Sequence, residues 1–278
     1  MIDLHTHSTA SDGQYSPTEL MRLAKESGVT AIALTDHDTV SGVEEAKKEA
    51  ENLGLNFFSG IEISANSEVG SMHILGYNID VKNSKLNETC EWFVNQRLER
   101  ANKIFKFLEE KNVPLSRESV EKYSHGGLFI RPHFARAMVD AGYVRNAREA
   151  FDKYLDVPEI RNIKREKLTP EQSLELIAGA GGIPVLAHPV QLKTDIEGVA
   201  NIVKKMTMQG LAGMECYYST HTPKQTEEYL NIARNNGLYI TVGSDFHGEK
   251  IKPDIKLGLG INNSLCIEEL DFLEVLER

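Results

Sequence analysis

Cysteine is scarce in this sequence: Cys90, Cys216 and Cys266 are the only three in 278 residues, and none stands in C-x-x-C spacing. That excludes a disulfide framework and a zinc–thiolate site, and leaves buried thiols as the reading. Hydrophobic runs are short. None approaches the roughly 18 residues that a spanning helix needs, and no basic segment with an apolar stretch opens the chain. The expected compartment is therefore the cytoplasm, with no membrane as a partner. Basic charge is also short: 31 Lys and Arg against 41 Asp and Glu leave a formal charge of −10. That argues against a broad basic face for long nucleic acids. It leaves room for an anionic substrate, because bound dications add local positive charge that the count omits. No feature marks an obligate protein partner.

What the chain has is apolar content and well-spaced histidine. A hydrophobic share of 41% suffices for a large core, as one α/β domain or one domain with an insertion. The opening stretch MIDLHTHSTASDG reads as a short strand running into polar residues. Ile2 and Leu4 alternate with Asp3 and His5; the two-residue period sends His5 and His7 to one side, and Asp12 follows from the loop. Next, Ser16-Pro17-Thr18-Glu19 combines an N-cap serine, proline at the first helical position and glutamate three residues past the cap, which starts a helix. Ala31–Leu34 is a second apolar strand, ending in Thr35-Asp36-His37-Asp38. A charged helix over Val43–Leu53 leads to strands at Phe57–Ile63, which holds Glu62, and Met72–Tyr77, which holds His73.

From Lys82 to Leu168 the pattern changes. Val94, Leu98, Ala101, Phe105 and Leu108 mark a long amphipathic helix, with further helices near Pro132–Ala141 and Ala147–Tyr154 and no convincing strand. Alternation then resumes. Thr169-Pro170-Glu171-Gln172 and Thr222-Pro223-Lys224-Gln225 repeat the capping signature. Strands are expected at Ile183–Ala187, Gly213–Tyr217 and Tyr239–Val242, with helices at Ile196–Met208 and Glu268–Leu276. Strands alternating with helices argue for a parallel sheet, and polar residues at the C-terminal end of nearly every strand favour a (β/α) barrel over an open sheet.

Those strand ends collect His5, His7, Asp12, His37, Glu62, His73, His188, Asp245 and His247. So many nitrogen and oxygen donors exceed the four to six ligands of one dication and suit about two or three ions. Without cysteine the set fits manganese, zinc or iron, and donor type alone does not choose among them; manganese is carried as the first expectation. Glu62 is the hardest to dismiss, since a buried carboxylate seldom goes unpaired. Asp3, Asp36 and Asp38 could orient imidazoles, or cap the turns beside them. His125 and His221 lie off the pattern and take a structural or solvent reading.

The motifs HTHSTASDG, LTDHDTVSG, GIEIS, MHILGY, AHP and GSDFHG stand in the order and spacing of the PHP family, named for polymerase and histidinol phosphatase. The sequence resembles that family over residues 1–82 and 170–250. The resemblance implies a metal-dependent phosphoesterase on a distorted (β/α)7 barrel, with residues 1–82 and 169–278 as the barrel and 83–168 as an inserted helical subdomain that caps the substrate. It also implies a trinuclear site: one metal on His5, His7, Glu62 and Asp245, a second on Glu62, His73 and His188, a third on Asp12, His37 and His247.

Such a site would activate a bridging hydroxide, held through Glu62, His5, His7, Asp245 and His188, for in-line attack on phosphorus. Arg131 in Arg131-Pro132-His133 can clamp phosphate oxygens, and Arg161, Lys164 and Arg165 form a second basic cluster. The Arg131 and His133 stretch resembles the Gly-Arg-Pro-His segment of a PHP subgroup acting on nucleoside 3′,5′-bisphosphates or the 5′ end of short RNA, with Ile130 in the glycine's place. The leading expectation is thus a phosphatase or phosphodiesterase of nucleotides or short oligoribonucleotides. Histidinol-phosphate hydrolysis is the alternative, followed by an amidohydrolase-type carbon–nitrogen hydrolase and a non-catalytic polymerase-associated PHP module.

Overall fold

The computed structural model describes residues 1–123 and 129–278, so His125 lies outside the described residues. The chain divides into two compact units, Met1–Glu88 with Lys167–Arg278, and Thr89–Glu166. In chain order come β1 (Ile2–Thr6), α1 (Pro17–Glu26), β2 (Ala31–Leu34), α2 (Val43–Leu53), β3 (Asn56–Ala65) and β4 (Met72–Tyr77). Helices α3 (Ser84–Glu110), α4 (Arg117–Glu121), α5 (Arg131–Asp140), α6 (Ala147–Ala150) and α7 (Pro158–Arg161) follow. The chain closes with α8 (Pro170–Gly179), β5 (Ile183–Leu186), α9 (Ile196–Met208), β6 (Gly213–Tyr218), α10 (Pro223–Asn235), β7 (Tyr239–Gly243) and α11 (Phe272–Leu276).

The seven strands pair in chain order. The last returns to the first: Asp245 N–H donates to the His5 carbonyl at 2.8 Å and His7 N–H to the Phe246 carbonyl at 3.0 Å. The result is a nearly closed (β/α)7 barrel. It departs from an all-parallel sheet at β4, which runs antiparallel to both β3 and β5. The reason is the short link over residues 66–71, which suffices for a hairpin but not for the crossover that a parallel neighbour requires. Because β4 runs backwards, the end it shares with the C-terminal ends of its neighbours is its own beginning, and His73 sits opposite Ser64 of β3.

Local sequence explains the helix starts. Ser16, Thr169 and Thr222 each cap a helix reciprocally with Glu19, Gln172 and Gln225, and each is followed by proline. Strand β2 reads AIAL because both of its faces are covered. Ile32 and Leu34 pack against Leu20, Met21 and Ala46, whereas Ala31 and Ala33 join Ile2, Leu4, Leu75, Val185 and Val242. Each fully buried Leu, Ile or Val contributes roughly 1.5–3 kcal/mol. The helix expected over Glu268–Leu276 is shorter than its pattern suggests, because the Ile267 carbonyl, just ahead of it, is held by Ile2 N–H at 2.9 Å.

The second unit is helical, with no strand among its described residues. Ile104, Leu108, Phe134, Met138, Leu155 and Ile160 form its core. Val94, expected on the apolar stripe of α3, is 40% exposed. A strict four-three spacing repeats every 3.5 residues and drifts around a helix of 3.6.

Candidate active site

Glu62 is the hub of the barrel mouth. Its carboxylate is fully buried, with Oε1 2.7 Å from His73 Nδ1 and 2.9 Å from His188 Nε2. Oε2 lies 2.8 Å from His37 Nδ1, 3.2 Å from His7 Nε2 and 3.3 Å from His5 Nε2. Asp245 Oδ1 is 3.3 Å from both His7 Nε2 and His247 Nδ1, and 3.7 Å from His5 Nε2. Asp12 Oδ1 is 3.3 Å from His247 Nε2, and its Oδ2 is 3.9 Å from His37 Nε2. All nine strand-end residues therefore meet in one place. His7 also groups with Asp12, His37 and His247, so it stands between two of the sets that the resemblance separates.

This donor set fits dications. Ligand atoms about 2.0–2.2 Å from a common ion lie about 3.0–3.6 Å from one another, close to the spacing of His7 Nε2, Glu62 and Asp245 at 3.2 and 3.3 Å. His5 Nε2 and both ring nitrogens of His7 are buried without a hydrogen bond, an expensive state for a polar atom unless something else binds it. The charges agree. Burial raises the carboxyl pKa values of Asp12, Glu62 and Asp245, but their imidazole neighbours, and Lys252 at Asp245, outweigh it and hold all three well below the usual range. Burial pushes His7 and His73 down to about 4, which leaves neutral lone pairs at pH 7. At His37 burial acts in the same direction, but Glu62 and Asp12 overcome it and raise the value to about 9. A dication there takes the place of a proton.

Three buried aspartates hold the loops that carry the donors. Asp36 accepts from the backbone and hydroxyl of Ser8 at 2.8 and 2.7 Å; Asp3 takes the same two groups of Ser244 at 2.9 and 2.6 Å; Asp38 takes those of Ser64 at 2.8 and 3.3 Å. Burial lifts the Asp36 carboxyl to about 6 against the serine hydrogen bonds. Asp38, His188 and Asp245 adopt positive φ values of 58°, 22° and 59°. Such backbone is sparsely populated by non-glycine residues and persists where surrounding bonds over-determine it.

Sequence reasoning passed over several residues here. Tyr218 and Lys252 both donate to Asp245 Oδ2, at 2.8 and 2.7 Å. Glu215 of β6, fully buried, lies 2.9 Å from His5 Nδ1 and accepts the His188 N–H at 2.7 Å. Its signal was present: a carboxylate inside the apolar strand GMECYY is as conspicuous as Glu62 in its own strand.

In the helical unit, Arg131 reaches Asp156 at 3.2 Å and the Leu155 carbonyl at 3.4 Å, and Arg161 pairs with the same Asp156 at 2.6 Å. His133 is buried in α5 and Lys164 is exposed. Arg131, Arg165 and Arg97 all lie near Arg100 of α3. Burial, followed by those three positive neighbours, pushes the Arg100 guanidinium down to about 10. Arg97 and Arg100, three apart on one helix, are guanidinium groups that motif reading passed over.

A cysteine-free cluster of imidazoles and carboxylates at the mouth of a seven-stranded barrel is the donor set of a metal-dependent hydrolase. The PHP domain pattern matches residues 3–250, and the chain belongs to the PHP family. It is 36% identical over 245 residues to a 5′-3′ exoribonuclease of Haemophilus influenzae, covering 88% of this chain and 89% of that one. It is 32% identical over 247 residues to a 3′,5′-nucleoside bisphosphate phosphatase of Chromobacterium violaceum, covering 88% and 87%. A Bifidobacterium adolescentis crystal structure assigned as a metal-dependent phosphoesterase superposes with a TM-score of 0.81 at 29% identity, over 99% of this chain and 94% of that one. The protein is an enzyme, a metal-dependent phosphoesterase. No helix among the described residues is long and apolar enough to cross a membrane.

Proposed function

We propose that the protein hydrolyses phosphate esters of nucleoside 3′,5′-bisphosphates or short oligoribonucleotides in the cytoplasm, using two or three divalent metal ions, manganese ahead of zinc or iron, held by His5, His7, Asp12, His37, Glu62, His73, His188, Asp245 and His247. The observation that carries the metal reading is Glu62, whose two oxygens lie within 3.3 Å of five imidazoles. Dications bound there neutralise phosphoryl charge and bring the pKa of water towards neutrality. The chain's own part is to keep Asp12, Glu62 and Asp245 ionised and His7 and His73 neutral at the working pH. It also buries His5, His7, Glu62, His188, Asp245 and His247, while Asp12, His37 and His73 stay partly open to solvent.

The substrate class is supported by the two relatives, one named for RNA and one for a bisphosphate nucleotide. It is also supported by the guanidinium group of Arg97, Arg100, Arg131 and Arg165, whose shared positive charge favours a polyanion. We read the helical unit, including Arg161, Lys164 and His133, as the part of the chain that selects among phosphate esters. The test is a panel run on manganese-loaded protein with elemental analysis of the same sample. The expected result is turnover of 3′-phosphoadenosine 5′-phosphate or 5′-phosphorylated short RNA at two or three ions per chain, the number suited to this donor count. Turnover of histidinol phosphate alone overturns the substrate assignment.

A further inference from the structure

Glu215 has two oxygens and two obligations. Oε2 accepts the His188 backbone N–H at 2.7 Å, and Oε1 faces His5 Nδ1 at 2.9 Å. An ionised carboxylate only accepts. The proton between Glu215 and His5 therefore belongs on Nδ1, and His5 Nε2 is the atom left to face Glu62 Oε2 at 3.3 Å and Asp245 Oδ1 at 3.7 Å. That same Nε2 is buried without a hydrogen bond. On the neighbouring strand the backbone makes way for the contact. A Cβ on Gly243 would stand 2.4 Å from Glu215 Oε1 and 2.2 Å from His5 Cβ, so no larger residue fits where carboxylate and imidazole pass β7.

We infer that Glu215 is a positioning residue for two donors at once. One oxygen fixes His5 with its proton on Nδ1 and its Nε2 lone pair turned to the metal position. The other pins the His188 main chain at its φ of 22°, which sets the ring whose Nε2 meets Glu62 at 2.9 Å. Hydrogen bonds of this type to the far nitrogen of a liganding histidine fix its orientation and raise its basicity. The inference rests on the metal reading of the site.

Glutamine separates this role from simple space filling, because it has the same shape but one accepting oxygen. The His188 N–H can only donate, so it claims that oxygen. The NH2 group is then turned on His5 Nδ1, which must accept, and the proton moves to Nε2, where it blocks the metal position.

The experiment uses zinc as a diamagnetic probe on the full-length protein. Wild type and Glu215→Gln are stripped and titrated with zinc against a chelator, and thermal unfolding of the stripped forms checks that the fold is kept. The expected result is a 10- to 100-fold weaker affinity in Glu215→Gln, the usual cost of losing such a partner. Long-range 1H–15N spectra of zinc-loaded wild type should place the proton on His5 Nδ1 and the metal on Nε2. This second measurement decides the matter even if the variant does not fold. Equal zinc affinity in a folded variant, or zinc on His5 Nδ1 in wild type, overturns the inference and leaves the metal reading standing. A wild type that takes up no zinc overturns the metal reading itself.

Discussion

Replacing His221 with asparagine should flatten the pH dependence of stability in the acid range. His221 is buried, and its Nδ1–H donates to the Cys216 carbonyl at 2.9 Å. Its Nε2 is enclosed without a hydrogen bond, and the rings of Tyr218 and Tyr229 lie 5.2 and 4.7 Å from its own. Burial pushes the imidazole down to about 4, against the pull of the Cys216 carbonyl and Glu215. The unfolded chain binds this proton near pH 6.5. The folded value is the lower one, so the neutral ring contributes stability that is present above pH 6.5 and lost as pH falls through about 4. A shift of that size corresponds to about 3 kcal/mol at most by linkage, and residual solvent access reduces it to about 2 kcal/mol. Asparagine can still donate to the Cys216 carbonyl and takes up no proton. Denaturant unfolding of chelator-stripped wild type and His221→Asn, compared between pH 7.5 and 4, should show the variant gaining about 2 kcal/mol relative to wild type on the way down. Parallel curves would refute the assignment of this acid sensitivity to His221.

Asp245→Asn removes the charge that faces His5, His7 and His247 and leaves Lys252 without the carboxylate it holds at 2.7 Å. Turnover should fall by at least about 10²- to 10³-fold, with fewer ions retained on elemental analysis; unchanged turnover would contradict the site. In the helical unit, Phe134 is fully buried with the Phe105 ring 4.8 Å away. Phe134→Ala should destabilise that unit by about 3–5 kcal/mol, read as a lower midpoint in denaturant.

Much of the fold was legible because the signals were local. Proline behind an N-cap serine or threonine marks α1, α8 and α10 without reference to the rest of the chain. Apolar runs ending in histidine or aspartate likewise locate most strands and the donors beyond them. What escaped was pairwise. The direction of β4 depends on whether residues 66–71 can cross over, and the partners of Asp3 and Asp36 are Ser244 and Ser8, residues with no motif of their own. Glu215 itself left a local signal, a carboxylate in an apolar strand, but its partners, His5 and the His188 main chain, stand 210 and 27 residues away and could not be read. Gly243 reads in sequence as the end of a strand; only the passage of His5 and Glu215 beside it shows why a side chain is excluded.

The seam between β7 and β1 carries a consequence for assembly. His5 and His7 leave the first strand of the barrel and Asp245 follows the last, and the three form one of the groups able to hold an ion. An ion seated there is a clasp that fastens the two ends of the sheet across the joint where Asp245 N–H meets the His5 carbonyl. Synthesis supplies His5 and His7 some 240 residues ahead of Asp245, and the clasp cannot shut until that last donor has emerged. An ion in this group would therefore load only at the final closure of the barrel, and one that binds only the closed form would hold it shut by mass action.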